Sequence, residues 1–183
     1  MKLEQTSIAG IWVAESTAHQ DQRGTFSRLF CSREQADIIG SRSIVQINHS
    51  ITCRVGALRG LHYQNPPYAE MKIVRCLRGR VFDVAVDLRK GSATFRKWTG
   101  LELTPDNRRA LVIPEGCAHG FQVLEPDSEL LYLHTAHYTS SAESAVLFND
   151  PMIGVDWPLA PTDLSDRDLH HALLDRNFEG IVV

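Results

Sequence analysis

Three side chains with complementary chemistry, those of Arg59, His62 and Lys72, lie within fourteen consecutive positions of the chain. A histidine exchanges a proton near neutral pH, an arginine binds phosphate with a fork of donors, and a lysine supplies a compact positive charge. Together they suit carbanion chemistry on a small molecule that carries both a phosphate and a carbonyl group.

A second histidine, His119, raises the question of a metal site. The spacing of His62 and of the segment 114–119 resembles the two metal-binding motifs of the cupin superfamily. Gln64 stands where that pattern has a second histidine, and Val123 stands where it has an asparagine. A catalytic metal normally needs about three protein ligands. We therefore expect no metal and no other cofactor, with both histidines free for proton transfer or binding.

Composition narrows the class of protein. The chain has 183 residues, a formal net charge of −3 and 43% hydrophobic residues, which is typical of one soluble domain. A net negative charge argues against nucleic-acid binding, and no apolar run approaches the roughly 20 residues that span a membrane. The start of the chain lacks a secretion signal, and the four cysteines form no Cys-x-x-Cys pair. We expect one cytoplasmic domain over residues 1–183, with no nucleic-acid or membrane partner.

Short strand-like runs alternate with turn signals along the chain, a pattern typical of a sandwich or barrel. The predicted strands cover residues 45–50, 71–77, 81–88, 111–113, 120–124, 129–134 and 145–148. Arg78-Gly79-Arg80 predicts a hairpin turn between two of them. Helix signals are limited to capping boxes at Ser32 and Ser165, which predict short helices over 36–39 and 169–174. The expected fold is all-β, a cupin-type jelly-roll β-barrel with a few short helices.

Strand alternation creates one difficulty. Arg59 and His62 are three residues apart and so would lie on opposite faces of a regular strand. Gly60 permits a β-bulge that would bring both side chains to one face. If the strand is regular, one of the two site assignments is wrong.

A series of motifs extends this pattern over nearly the whole chain. In order they are Asp21-x-Arg23-Gly24-x-Phe26, Gln46-x-Asn48-His49-Ser50, the segments 58–64, 72–76, 83–89 and 113–121, Tyr132, Tyr138, Asn149-Asp150-Pro151, Trp157-Pro158 and Leu164-Ser165-Asp166-Arg167-Asp168. Taken together they closely resemble the dTDP-4-dehydrorhamnose 3,5-epimerase family, the cofactor-free epimerases of deoxysugar biosynthesis.

The resemblance implies four catalytic roles. His62 matches the base that removes a proton beside the 4-keto group, and Asp168 matches the carboxylate that orients it. A carboxylate partner makes physical sense because it sets the imidazole tautomer and stabilises the imidazolium. Tyr132 matches the proton donor on the opposite ring face, and Lys72 would stabilise the enolate oxygen. The other histidines, His134, His137, His170 and His171, we interpret as surface or structural residues.

The resemblance also implies a substrate-binding set and a homodimer, because family members pair through their sheets and exchange N-terminal strands. Arg23 and Arg59 would hold the diphosphate. The remaining binding positions are Phe26, Arg28, Gln46, Asn48, His119, Tyr138, Glu143 and Arg167. Two of them depart from the family pattern: Arg28 replaces a glutamate that contacts the base, and Arg167 replaces a lysine. The first change puts nucleotide-base recognition in doubt.

The expected reaction is inversion of carbons 3 and 5 of dTDP-4-keto-6-deoxy-D-glucose, giving dTDP-4-keto-L-rhamnose. Inversion of carbon 3 alone and binding of a sugar nucleotide without catalysis stay open as alternatives. A metal-dependent cupin enzyme is disfavoured by Gln64 and Val123. Two residue roles also have rivals, since Asp168 is at a capping position of the C-terminal helix and Tyr132 would fit a core position.

Overall fold

The computed structural model describes all residues from 1 to 183 and is built almost entirely of antiparallel β-strands. In chain order the strands are β1 (Lys2–Gln5), β2 (Trp12–Glu15), β3 (Ala18–Asp21), β4 (Gly24–Ser27), β5 (Gln46–Thr52), β6 (Leu58–Gln64), β7 (Lys72–Arg78), β8 (Val81–Asp87), β9 (Trp98–Leu103), β10 (Arg109–Ile113), β11 (Cys117–Val123), β12 (Ser128–His134) and β13 (Glu143–Ala145). The helices are α1 (Ala36–Ile39) and α2 (Asp166–Leu169).

The strands form two large sheets and one separate hairpin. The first sheet has the order β1-β2-β10-β7-β12-β5, and the second has the order β13-β6-β11-β8-β9. Strands β3 and β4 pair only with each other. The all-β, cupin-type architecture predicted from the sequence is confirmed.

A cluster of fourteen buried residues, which includes Val74, Leu111, Phe121 and Leu130, joins the two sheets. The outer face of the second sheet is also apolar, because Val84 and its neighbours pack against segments near the C-terminus. Because successive residues of β8 point to opposite faces, Phe82, Val84 and Val86 lie on the outer face of the barrel. Val81, Asp83 and Ala85 face inward.

The predicted hairpin at Arg78-Gly79-Arg80 is wrong. A turn does occur there, and Gly79 has a φ of 73°, but the strands on either side belong to different sheets. Strand β7 pairs with β10 and β12, whereas β8 pairs with β9 and β11. The segment is thus a crossover between sheets. The prediction is wrong because the local sequence of this crossover is also typical of a hairpin turn.

The helix predictions are right in number and only partly right in detail. The residue that caps α1 is Gln35, without a side-chain hydrogen bond, because Ser32 lies in the preceding turn. Ser165 does cap α2, since its hydroxyl accepts the backbone N–H of Asp168 at 3.1 Å. That helix ends at Leu169 and does not reach residue 174, whose backbone N–H bonds instead to a carboxylate of Asp150. Neither helix is long and apolar enough to cross a membrane.

Candidate active site

A cavity of about 430 Å³ opens where the inner faces of the two sheets meet. Its walls carry fifteen residues, of which only four are hydrophobic. Strand β6 supplies Arg59 and His62, β7 supplies Lys72, β11 supplies His119 and β12 supplies Tyr132. Polar and charged side chains therefore line the cavity, which suits a polar, anionic ligand.

A β-bulge brings Arg59 and His62 to the same cavity. In the pairing of β6 with β11, His62 lies opposite His119 and Arg59 lies opposite Phe121, so three steps on β6 match two on β11. Gly60 is required at this point, because its φ is 132° and a Cβ there would lie 2.5 Å from the Cα of Gly120. The predicted bulge is present.

His62 and Asp168, which are 106 positions apart in the chain, form a close pair. The imidazole Nε2 lies 2.6 Å from the carboxylate Oδ1. The hydroxyl of Ser165 donates to the other carboxylate oxygen at 2.9 Å and accepts the backbone N–H of Asp168. Asp168 thus both contacts His62 and takes part in the helix cap.

The charge balance of this pair favours an ionised carboxylate. Burial alone would raise the pKa of Asp168, but the hydrogen bond and charge of His62 outweigh it, so that the pKa lies below its ordinary value. A carboxylate that accepts from Nε2–H leaves the lone pair of His62 Nδ1 as the ring's proton acceptor.

Lys72 belongs to a buried network that the sequence did not reveal. Its Nζ lies 3.1 Å from Oε1 of Glu70, and the other oxygen of Glu70 lies 2.7 Å from Nδ1 of His134. The amide of Asn48 lies 3.3 Å from the second ring nitrogen of His134. Burial acts to raise the pKa of Glu70, yet its bonds to His134 and Lys72 lower the pKa overall. Glu70 is therefore the counter-ion of the cavity lysine.

Tyr132 lies between two histidine rings on the cavity wall. Its ring stacks on His134 and meets His119 edge-on, with centroids 6.0 Å apart in each case. The Ser50 hydroxyl is 3.5 Å from the phenol oxygen. Burial raises the pKa of Tyr132 well above its ordinary value, so the phenol stays protonated at neutral pH and can donate a proton.

His119 and His62 have different carboxylate partners, and the partner of His119 is buried. The Nε2 of His119 lies 2.8 Å from Oδ1 of Asp83, and both residues are buried. Gln64 uses its amide for backbone contacts, donating to the carbonyl oxygens of Tyr68 and His137. The two cupin motif positions therefore make separate contacts and form no common ligand set.

Several of the predicted binding residues surround the mouth of this cavity. Tyr138 donates to Glu143 at 2.7 Å, and Glu143 also pairs with Arg167. Gln46 accepts the backbone N–H of Tyr138. Arg59 has no carboxylate partner and uses only its Nε, toward Thr52, so its terminal nitrogens are available to an anion.

Five predicted binding residues do not line this cavity in the single chain. Gln46 and Arg167 contact residues at its mouth, whereas Arg23, Phe26 and Arg28 do not. Arg23 and Phe26 belong to the β3–β4 hairpin, where the Arg23 side chain is 89% exposed and pairs with Asp21. Phe26 is 71% exposed, an unusual state for a large aromatic residue. Arg28 pairs with Glu34.

Sequence reasoning missed four polar residues at or beside the site. His134, interpreted as surface or structural, is in fact 7% exposed and lines the cavity. No motif marks Glu70 or Asp83 as the carboxylate partner of a histidine, and His171 lies beside Asp168, with Nε2 at 3.5 Å from Oδ1. Burial and the nearby charge of His62 lower the pKa of His171. The contacts of Glu70 with His134 and of Asp83 with His119 join residues far apart in the chain, so no short-range pattern marks them. His171 follows Asp168 by three residues, a spacing at which side chains on a helix meet and the one signal that could have found it.

Comparisons with known proteins identify the class. The family model for dTDP-4-dehydrorhamnose 3,5-epimerase matches residues 5–176. A protein of that name from Shigella flexneri is 43% identical over 171 residues, which are 93% of this chain and 94% of that protein.

Solved structures agree. A dTDP-6-deoxy-D-glucose-3,5-epimerase from Legionella pneumophila in complex with dTDP-4-keto-L-rhamnose has a TM-score of 0.91 at 35% identity, covering 100% of this chain and 98% of that one. ChmJ, a 3'-monoepimerase from Streptomyces bikiniensis in complex with dTDP-quinovose, has a TM-score of 0.85 at 33% identity, covering 92% of this chain and 85% of that one.

The cupin-like barrel and these relatives define the protein as an isomerase, one of the epimerases that act in deoxysugar biosynthesis. The chain belongs to the dTDP-4-dehydrorhamnose 3,5-epimerase family. The resemblance predicted from the motifs is confirmed.

Proposed function

We propose that this protein inverts carbons 3 and 5 of dTDP-4-keto-6-deoxy-D-glucose and releases dTDP-4-keto-L-rhamnose. The observation that carries the proposal is the placement of a proton acceptor and a proton donor on different sheets around one cavity. His62 belongs to the second sheet and Tyr132 to the first, and both line the cavity. Inversion requires that a proton leaves one face of a carbon and another arrives at the opposite face.

The proposed first step is proton abstraction beside the keto group. The Nδ1 lone pair of His62 takes the proton from carbon 3, and the electron pair of that C–H bond forms the enolate. Asp168 stabilises the resulting imidazolium through its 2.6 Å contact. General-base assistance of this kind typically contributes about 10²–10⁴ in rate.

In the second step the enolate is stabilised and then reprotonated. The ammonium of Lys72 faces the oxygen on carbon 4, where the negative charge develops, and Glu70 holds that ammonium in place. Tyr132 donates its phenolic proton to the opposite face of carbon 3, and proton exchange with solvent restores both side chains. The same steps then invert carbon 5, since it is also adjacent to the carbonyl. Each proton movement has a side chain to perform it, so the proposal requires no cofactor.

Deuterium exchange tests the chemistry. In D₂O with dTDP-4-keto-6-deoxy-D-glucose, the wild-type protein should incorporate deuterium at carbons 3 and 5. The His62→Ala variant should lose exchange at both carbons. Tyr132→Phe should still exchange protons while inversion falls sharply, because the base remains and the opposite donor is gone. Exchange by His62→Ala at the wild-type rate would disprove the role of the base.

Inversion of carbon 3 alone is the second candidate, and it is supported by the similarity to the 3'-monoepimerase ChmJ. Deuterium at carbon 3 without deuterium at carbon 5 would select it. Binding of the sugar nucleotide without exchange at either carbon would leave only the non-catalytic alternative.

We further infer a homodimer in which the β3–β4 hairpin of one protomer contacts the cavity of its partner. This arrangement gives the exposed side chains of Arg23 and Phe26 a ligand to bind. The edge strand β5 exposes Ile47 and Ile51 at 61% and 52%, which suits a paired surface. Arg28 lies just beyond the hairpin and is assigned to the nucleotide end of the ligand. The four free cysteines fit a reducing, cytoplasmic location.

Mixed dimers test the shared site. Arg23→Ala and His62→Ala protomers are each expected to be weakly active alone. If Arg23 acts across the dimer, each mixed dimer contains one intact site and one site that lacks both side chains. Random pairing in a refolded equimolar mixture makes half of the dimers mixed, so about a quarter of wild-type activity should return. No recovery in a mixture that forms dimers by light scattering would place Arg23 in its own protomer's site.

A further inference from the structure

A third side chain that could bind a metal ion, that of His171, lies beside the His62–Asp168 pair, and the proposed reaction does not use it. The Nε2 of His171 is buried and has no hydrogen-bond partner. It lies 3.5 Å from Oδ1 of Asp168, and its ring meets that of His62 edge-on at 5.8 Å. A buried ring nitrogen without a partner is unfavourable unless something binds it.

The three side chains have the composition of a zinc site, and shifts of about 1–2 Å would bring their ligand atoms to zinc distances. One ligand atom from each of His62, Asp168 and His171 lies within 4.8 Å of the other two. Tetrahedral zinc with bonds of about 2.0–2.2 Å places its ligand atoms roughly 3.3 Å apart. Two histidines and one carboxylate, with a fourth position open to water, are a ligand set that zinc uses in proteins.

We propose that His62, Asp168 and His171 form an inhibitory Zn²⁺ site, in which the metal binds Nε2 of both histidines and a carboxylate oxygen of Asp168. The 2.6 Å contact between His62 and Asp168 opens by less than 1 Å to admit the ion. This site is separate from the cupin metal motif, since it includes neither His119 nor Gln64.

The inhibition follows from the tautomer of His62. A neutral imidazole that binds zinc through Nε2 carries its proton on Nδ1. The proton on Nε2 therefore leaves to solvent and another binds Nδ1, with no net change in the number of protons on the ring. Nδ1 then has no lone pair with which to abstract a proton from carbon 3. Zinc also occupies the carboxylate that would stabilise the imidazolium.

The surroundings allow the ion to enter from solvent. His171 lines a surface cavity that it shares with Tyr63 and Glu143. The nearest guanidinium on that side, Arg167, is already paired with Glu143. The adjacent His170 is exposed and bonds through Nδ1 to the carbonyl of Asp166, so it offers a matched control that lies next to the site and outside it.

Two measurements test the proposal on the whole protein, with Cys53→Ser in every variant because that exposed thiol would compete for zinc. The first is direct Zn²⁺ binding in competition with a chromophoric chelator, which does not depend on activity. We expect one equivalent to bind, and His171→Ala to weaken binding at least about tenfold, since loss of even a second-shell partner costs 10–100-fold. His170→Ala should bind zinc as the parent does.

The second measurement is deuterium incorporation at carbon 3 over a range of buffered free Zn²⁺, with each variant compared to its own zinc-free rate. The Cys53→Ser protein and its His170→Ala variant should be inhibited over the concentration range in which they bind zinc. His171→Ala should need at least about ten times more zinc for the same inhibition. The proposal is overturned if zinc affinity is unchanged in His171→Ala, or if the bound equivalent leaves the exchange rate unaltered.

Discussion

Replacing Asp168 with asparagine separates two effects that the carboxylate has on His62, namely charge and tautomer. Loss of charge alone replaces a charge-assisted hydrogen bond by a neutral one, which costs roughly 1–2 kcal/mol, or about 5–30-fold in rate. A wrong tautomer removes the base altogether, and in a comparable histidine–aspartate pair that loss is of the order of 10⁴. The contacts of Ser165 decide between these outcomes.

Ser165 fixes the orientation that the new amide would adopt. Its hydroxyl accepts the backbone N–H of Asp168 and donates to Oδ2 at 2.9 Å. An asparagine keeps this arrangement only if its oxygen faces Ser165, which turns its NH₂ toward Nε2 of His62. Nε2 must then accept, and Nδ1 carries the proton. We therefore expect Asp168→Asn to lower kcat by about 10³–10⁴ with little change in KM.

The double variant gives the sharper test. Ser165→Ala removes the constraint on the amide, so Asp168→Asn combined with Ser165→Ala should be more active than Asp168→Asn alone, although Ser165→Ala by itself lowers activity. Such a rescue is a non-additive interaction between neighbours. The assay is the rate of deuterium incorporation at carbon 3, with Asp166→Asn as the matched control in the same helix. A loss of kcat of no more than about 30-fold in Asp168→Asn is what loss of charge alone predicts, and it would contradict the expected change of tautomer, as would the absence of any rescue by the second change.

The remaining predictions concern residues that stabilise the site or the fold as a whole. Gly60→Ala should destabilise the fold by more than about 2 kcal/mol in urea unfolding, because its Cβ would meet backbone at 2.5 Å, whereas Gly91→Ala, with open space around it, should cost much less. Glu70→Gln removes the counter-ion 3.1 Å from the Lys72 ammonium and should lower kcat about 10–100-fold; unaltered turnover would show that Lys72 needs no such partner. Asp87 has a pKa of about 2, because hydrogen bonds from three neighbouring side chains outweigh its burial. Since the folded pKa lies below the unfolded one, its contribution of roughly 2 kcal/mol is present above about pH 4 and is lost as the pH falls toward 2, and an Asp87→Asn variant should lose this part of the acid dependence of unfolding.

The part of the site that could be predicted from the sequence is the part in which reactive side chains and a family motif lie in one short segment. The segment around His62 carried the family motif, and Gly60 indicated the bulge that aligns Arg59 with it. Asp168 was found only through a second motif 106 positions away, because strand alternation carries no information on which distant residues meet. Motif resemblance therefore supplied the long-range pairing that local pattern could not.

Other contacts depend on register between strands that are distant in the chain, and no local signal marks them. Glu70 contacts His134 because β7 and β12 pair with Lys72 opposite His134, and Glu70 lies two residues before Lys72, the first residue of β7. The crossover at Gly79 is missed for a related reason: a turn glycine has the same local signature whether the chain stays in one sheet or changes sheets. Only the pairing of the whole strands distinguishes the two.

The choice between single and double epimerisation must depend on residues other than the proton-transfer set. In the proposed reaction carbons 3 and 5 are adjacent to the same carbonyl, so Lys72 would stabilise both enolates, and the same proposed base and acid would suffice for both inversions. What differs is which ring carbon lies near Nδ1 of His62. Under the proposed binding mode, in which Arg59 holds the diphosphate, that depends on how far the cavity walls allow the sugar ring to turn, with side chains such as Asn48 and Phe121. Variants of these wall residues are therefore expected to change the ratio of deuterium at carbons 5 and 3, whereas variants of the base should reduce both together.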